Sequence, residues 1–274
     1  MILFAGAAPY EFVNVSALVT TGATFDEDYV EGAISKTAIN DLAAARFFKP
    51  VVEQEVWLHA NLFLGATLPL SAQNNPIIMF KTSEQVEVGG LGAASGTLYL
   101  RSGNTSIDIT GLVTRNVLND VDIHLFQFGS IRVVELYIAG NFVAEARSTA
   151  VWLAPTQVIL GGCITSANYF SELAVIEGNE PTIGMRIHSK RPDPSLPGLN
   201  TFDSGFWGAL ANGTLTDGVV TSDPGARLTG GFQPYTGPAE PLGIRGVVQS
   251  ARYLKNGSLL ELKGQLRIAD VNYD

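Results

Sequence analysis

The acidic pairs Glu53/Glu55 and Asp120/Asp122 have the residue types and spacing best suited to acid–base chemistry. Residues i and i+2 of a β-strand point to one face. Two carboxylates so placed can flank a glycosidic bond, one as acid and the other as base or nucleophile. Neither pair is extended by a third acid at the next alternate position, which is Trp57 in one case and His124 in the other. Glu53 and Glu55 also stand at the mouth of a strand, where solvated charge is common. No catalytic residue is assigned on this basis, and the chain is expected not to be an enzyme.

Metal and nucleophile chemistry is equally thin in the sequence. His59, His124 and His188 each stand alone in their own strand pattern. Asp122 and His124 share a face two residues apart, a spacing that suits a ligand pair but equally a solvated polar pair. The second reading is adopted, with no metal and no cofactor expected. Cys163 has no acid or histidine at a recognisable spacing and, as the single cysteine, no internal disulfide partner. Gly89-Gly90, Gly161-Gly162 and Gly230-Gly231 precede no helix with a lysine, so they are not phosphate cradles but turn glycines.

Sugar binding needs an aromatic face flanked by planar polar side chains. Trp57 and Trp152 fall inside strand patterns and are assigned to the core. Trp207 with Asp203, and Tyr235 with Gln233, lie in loop-like stretches and are the glycan-contact candidates. Core of a small domain is the competing role for them.

The elements that must position these groups are strands. Short alternating runs at 56–64, 77–80, 84–88, 97–101, 105–109, 121–128, 133–138, 142–146, 156–160 and 170–176 are separated by Gly, Asn, Asp and Pro. In 56–64, Trp57, His59, Asn61 and Phe63 share one face and Leu58, Ala60 and Leu62 the other. Ala139-Gly140-Asn141 is a tight hairpin turn requiring positive φ, and 185–188 is expected to close the set. Only 39–47 has a helical period, ended by Pro50. These features predict an all-β sandwich over 1–188 and a Pro-rich linker over 189–200. A small β domain over 201–274 follows, with strands at 244–254 and 259–271 around an Asn256-Gly257 hairpin.

Composition bounds the partners. There are 26 Asp and Glu against 17 Lys and Arg, a net charge of −9, so no basic stripe for phosphate backbones is available. No nucleic acid is expected. No run approaches membrane-spanning length and no export signal is visible, so no membrane insertion is expected and assembly in a reducing cytoplasm is. At 46% hydrophobic and 16% charged residues, the apolar content either fills a large β core or exceeds it, and on the second reading other copies of the chain or other proteins are expected to cover some of it.

Several stretches together resemble a known family. Val134-Glu135-Leu136-Tyr137-Ile138-Ala139-Gly140-Asn141-Phe142-Val143-Ala144 resembles the hairpin of laminin-G and concanavalin A-like jelly rolls. Val158-Ile159-Leu160-Gly161-Gly162 and Tyr169–Ile176 resemble that fold's closing strands. With Pro181-Thr182-Ile183-Gly184-Met185-Arg186, the Trp207-Gly208 step and the opening Ile2–Gly6, the chain resembles virion or tail-associated proteins of tailed bacteriophages. The resemblance implies a virion location and a jelly roll, without an agreed activity. The expectation is therefore a homo-oligomeric structural protein of a phage or phage-like particle, displayed as fibre, spike or decoration and used to adsorb to host-surface polysaccharide. The alternatives are a purely architectural role and a polysaccharide depolymerase.

Overall fold

The computed structural model describes residues 1–6, 13–14, 24–26, 33–36, 42–47, 49–70, 72, 74–161, 168–185, 266–268 and 271–273. The chain separates into two compact units, Met1–Tyr235 and Thr236–Asp274. The first is a two-sheet β-sandwich, and no helix occurs among the described residues. Its strands are β1 (Ile2–Gly6), β2 (Val13–Asn14), β3 (Thr24–Asp26), β4 (Ala33–Lys36), β5 (Leu42–Arg46), β6 (Glu55–Phe63), β7 (Asn75–Lys81) and β8 (Glu87–Ala94). They continue with β9 (Thr97–Ser102), β10 (Thr105–Asp108), β11 (Leu118–Phe128), β12 (Ile131–Ile138), β13 (Asn141–Ser148), β14 (Gln157–Gly161) and β15 (Asn168–Glu177).

The larger sheet runs β13-β12-β11-β6-β15-β4-β3, with β1 also on β15; the smaller runs β10-β9-β8-β7-β14-β5-β2. Every pairing is antiparallel. Consecutive hairpins build one half of each sheet, and β14 and β15 then return to complete the other half of both. This is a jelly-roll sandwich: the strand pattern predicts the sandwich, and the resemblance to concanavalin A-like folds implies the jelly roll. Alternation sets what lies between the sheets. Val56, Leu58, Ala60 and Leu62 from β6 and Val121, Ile123 and Leu125 from β11 are fully buried against Ile78, Phe80, Leu91, Leu100, Val158 and Leu160. In the second unit, Leu266–Ile268 (β16) folds back on Val271–Tyr273 (β17). Of the strand expected over 259–271, residues 266–268 are a strand paired with 271–273, and the others up to 270 lie outside the described residues. The Asn256-Gly257 hairpin and the 189–200 linker lie outside the described residues.

Three expectations are corrected here. The helical period of 39–47 yields strand β5, paired with β14 from Arg46 opposite Gln157 to Leu42 opposite Gly161. A helix this short is marginal in water, whereas the ladder satisfies the backbone and buries Ala44 and Ala45 completely. The strand expected at 84–88 begins only at Glu87, because Gln85 takes a φ of 65° in the turn before it. The closing strand expected over 185–188 does not begin at Met185, whose N–H bonds the Thr182 carbonyl in a turn, and 186–188 lie outside the described residues.

Gly89 and Gly90 are also not turn residues: they sit inside β8, buried. A Cβ on Gly89 would lie 2.6 Å from Val134 Cγ2 of the opposite sheet, and one on Gly90 2.2 Å from the Ile78 carbonyl oxygen. Gly90 also has a φ of +142°, closed to most side chains. The missing side chain of Gly89 lets the two sheets approach at this point, and that of Gly90 lets β8 lie against β7 within its own sheet. Gly90→Ala is accordingly expected to destabilise the sandwich by about 2–3 kcal/mol, seen as a lower urea midpoint at unchanged m-value.

A buried arginine closes one end of the sandwich. Arg132 of β12 is 2% exposed and meets no carboxylate among the described residues. Its Nη1 donates to the Val88 carbonyl at 3.1 Å and its Nη2 to the Val151 carbonyl, while Ser102 Oγ donates to the carbonyl of Arg132 at 2.9 Å. Burial holds its pKa below the ordinary arginine value. It thereby ties the larger sheet to β8 and to the 149–156 loop.

Candidate functional site

The outward face of the larger sheet carries the polar half of the alternation. Register places Asp122 of β11 opposite His59 of β6 and Tyr137 of β12. One step along, His124 stands opposite Trp57 and Glu135. Strand pairing thus gathers residues between 11 (His124 and Glu135) and 78 (Trp57 and Glu135) positions apart into two adjoining clusters.

In the first cluster His59 Nδ1 lies 3.1 Å from Asp122 Oδ1 and 3.6 Å from Asp120 Oδ1. Thr182 Oγ1 donates to the same Asp122 Oδ1 at 2.7 Å. His59, Asp122 and Thr182 are all fully buried. Asp122 Oδ2 and His59 Nε2 are buried with no hydrogen-bond partner among the described residues.

In the second cluster His124 faces carboxylates at both nitrogens: Nδ1 is 3.0 Å from Glu135 Oε2 and Nε2 is 2.9 Å from Glu55 Oε1. Both contacts are donations only when the ring is an imidazolium. Its ring stacks on Trp57 at 4.0 Å and 8°, and on Phe126 at 4.4 Å and 23°. Tyr137 donates to Glu135 Oε2 at 2.9 Å. Burial first, then that bond and the charges of Glu135 and Glu145, push its phenol up to about 12.

The segment 178–185 covers part of this face. It leaves β15 with the Gly178 N–H on the Glu55 carbonyl, places Thr182 on Asp122, and brings Ile183 Cγ2 within 3.3 Å of where a Cβ on Gly140 would stand. It therefore runs from β15 across β6 and β11 to the β12–β13 turn, where Ala139 and Gly140 have the positive φ expected of them. A polar pair expected to be solvated is instead roofed over. Asp122 and His124 do share a face, but they serve different clusters.

The other candidate acids are similarly committed. Glu53 precedes β6, is exposed, and does not pair with Glu55, which is turned to His124. The Glu53 N–H donates at 2.9 Å to Glu177 Oε1, which also accepts from the Val52 N–H. Lys49 Nζ lies 2.7 Å from Glu177 Oε2. Burial pushes the Glu177 carboxyl up, but Lys49 and the two backbone N–H groups outweigh it and the net shift is downward from 4.5. A depressed carboxylate contributes stability above its unfolded pKa and loses it as pH falls through the folded value. Glu177→Gln should therefore cost about 1–3 kcal/mol near neutrality, and urea titrations should show the deficit shrinking below pH 4.5.

At one end of the sandwich lies an open depression of about 550 Å³ lined by Gln54, Gln127, Ser130, Thr149, Val151 and Trp152, among others. Trp152 is not inside a strand: it sits in the loop between β13 and β14, half-buried, and packs partly on the core. Gln127 Nε2 donates to the carbonyls of Gly129 at 3.0 Å and Ala150 at 3.2 Å. Gln127 Oε1 and Trp152 Nε1 have no hydrogen-bond partner among the described residues. Phe128 and Val151 beside it are 74% and 76% exposed. Pro155 and the polar Thr149 are sequence signals for this loop; Thr182 and the His59–Asp122 contact have none. Asp203, Trp207, Gln233, Tyr235, His188 and Cys163 lie outside the described residues.

These features define an all-β jelly-roll domain with a roofed polar face and one open aromatic depression. No protein-family model matches the chain, and no curated sequence matches it. Among solved structures it is similar to the cellulose-induced protein Cip1 (TM-score 0.42, 12% identity, 59% of this chain and 88% of that one). It is also similar to the botulinum neurotoxin serotype D binding domain (0.47, 11%, 65% and 48%). A third is Trypanosoma rangeli sialidase in complex with sialic acid (0.39, 15%, 55% and 26%). The chain thus spans about half of the second structure and a quarter of the third. Nothing about ligand or activity passes to this chain from likenesses so distant, and the fold stands on its own two sheets.

Proposed function

We propose that this chain is a non-catalytic, homo-oligomeric adsorption module of a tailed phage or phage-like particle, assembled in the host cytoplasm and holding surface polysaccharide at the Trp152 depression. The observation that carries the glycan reading is the depression itself. An indole beside two carboxamides, Gln54 and Gln127, and two hydroxyls, Ser130 and Thr149, is the chemistry that recognises a pyranose face and its hydroxyls. Such a site is shallow and weak alone, and many copies on one particle supply the avidity. The virion assignment rests on the sequence resemblance.

A non-catalytic reading is supported by the acids. Glu55 and Glu135 each spend an oxygen on His124, and Asp122 is buried under Thr182. An architectural role is the second reading, favoured by large apolar side chains left on the surface: Val52, Leu70, Phe128, Phe142 and Val151 are between 57% and 81% exposed.

The discriminating experiment is a glycan array with the purified full chain presented multivalently. Binding to a capsular or wall polysaccharide is expected, weakened about tenfold or more (~1.4 kcal/mol) by Trp152→Ala, with no new reducing ends released. Absence of binding at high avidity favours architecture. Release of reducing ends abolished by Glu55→Gln makes the chain a depolymerase.

A further inference from the structure

The cluster of His59, Asp120 and Asp122 takes no part in the depression; His59 and Asp122 are buried and Asp120 is 22% exposed. One donor atom of each lies within 4.8 Å of the others. Ligand bonds of about 2.0–2.2 Å put neighbouring donors roughly 3.0–3.6 Å apart around one ion, and the His59 Nδ1 distances to Asp122 and Asp120 are 3.1 and 3.6 Å. Both His59 distances suit a ligand set, formed by two adjacent strands without any loop.

Charge makes the same demand independently of the spacing. His59 and Asp122 are completely buried, and His59 is the only ion-pair partner of Asp122 among the described residues. Beside a neutral imidazole, Asp122 keeps a whole buried negative charge, which a cation between the two side chains would offset. A buried carboxylate oxygen without a partner is unfavourable unless it recruits a cation, and Asp122 Oδ2 has no hydrogen-bond partner among the described residues. If the His59 proton sits on Nε2, the Nδ1 lone pair faces two carboxylates, an arrangement that repels unless a cation lies between.

We propose that His59, Asp120 and Asp122 bind one divalent transition-metal ion of the Mn²⁺–Zn²⁺ type. One imidazole nitrogen with two carboxylates is a borderline donor set, and it suits those ions better than Ca²⁺, which takes six to eight oxygens. Thr182 Oγ1, donating to Asp122 Oδ1, is the outer partner that fixes the carboxylate. The ion would therefore fasten the 178–185 segment to the sheet, a structural role separate from the Trp152 depression.

The test is isothermal titration of the full chain, stripped with chelator and dialysed, with Zn²⁺, Mn²⁺ and Ca²⁺ in turn. One equivalent of Zn²⁺ or Mn²⁺ is expected, with Ca²⁺ at least tenfold weaker, and with affinity reduced at least tenfold by Asp120→Asn. Asp120 is 22% exposed and leaves the fold least disturbed, which far-UV circular dichroism checks. The wild-type protein gives a variant-free readout: Zn²⁺ should shift the ring ¹⁵N signals of His59 far more than those of His124. No saturable binding, binding indifferent to Asp120→Asn, tighter binding of Ca²⁺ than of both other ions, or an unmoved His59 ring would each overturn the proposal.

Discussion

The hydrogen-bonded ladder between β6 and β11 is the constraint on which the rest depends. Both strands are central in the larger sheet and buried on both faces, yet the two faces differ in kind. One face is aliphatic and forms the core. The other assembles two histidines, four carboxylates, a tryptophan and a tyrosine into clusters whose members lie far apart in sequence. A one-residue slip of register would exchange the faces and place those charges between the sheets. The aliphatic face therefore fixes the polar one, since only one register keeps Leu58 and Ile123 in the core while setting Asp122 on His59.

A buried polar layer is tolerable only where its groups are satisfied. Glu55, His124 and Glu135 achieve this in a line, capped by aromatic rings on both sides of the imidazole. Asp122 achieves it in part through His59 and Thr182. The 178–185 segment is thus bound to the sheet by polar contact rather than by apolar packing alone. At the end of the sandwich that carries the depression, Arg132 plays an analogous part, reaching from the larger sheet to β8 and to the loop that carries Trp152. Fold and depression are coupled through that side chain.

The core face and hairpins were legible in the sequence because alternation and turn chemistry are local. The faces of β6 and β11 and the positive-φ Ala139-Gly140 turn follow from them directly. Residues 39–47 misled because Leu-Ala-Ala-Ala has helix propensity, and only the partner strand β14 makes it a strand. Gly89 and Gly90 misled because a glycine pair signals a turn unless another sheet presses on it, as Val134 does here. The candidate site was legible only in its residue types. Asp122 and His124 stood out as polar residues on one face, but their partners depend on register, and the roof over them depends on a segment with no periodic signal. Trp152 falls in a stretch that reads as strand and core; it does pack partly on the core, but from a loop that Pro155 signals.

The central claim is that the 178–185 segment is held to the sheet through Asp122, and a double-mutant cycle tests it directly. Asp122→Asn and Thr182→Val, alone and combined, would be measured by urea unfolding of the full chain. A coupling energy of about 1 kcal/mol or more is predicted for side chains in direct contact. Stability changes that add to within about 0.3–0.5 kcal/mol would contradict the roofed polar face and return Asp122 to the solvated surface.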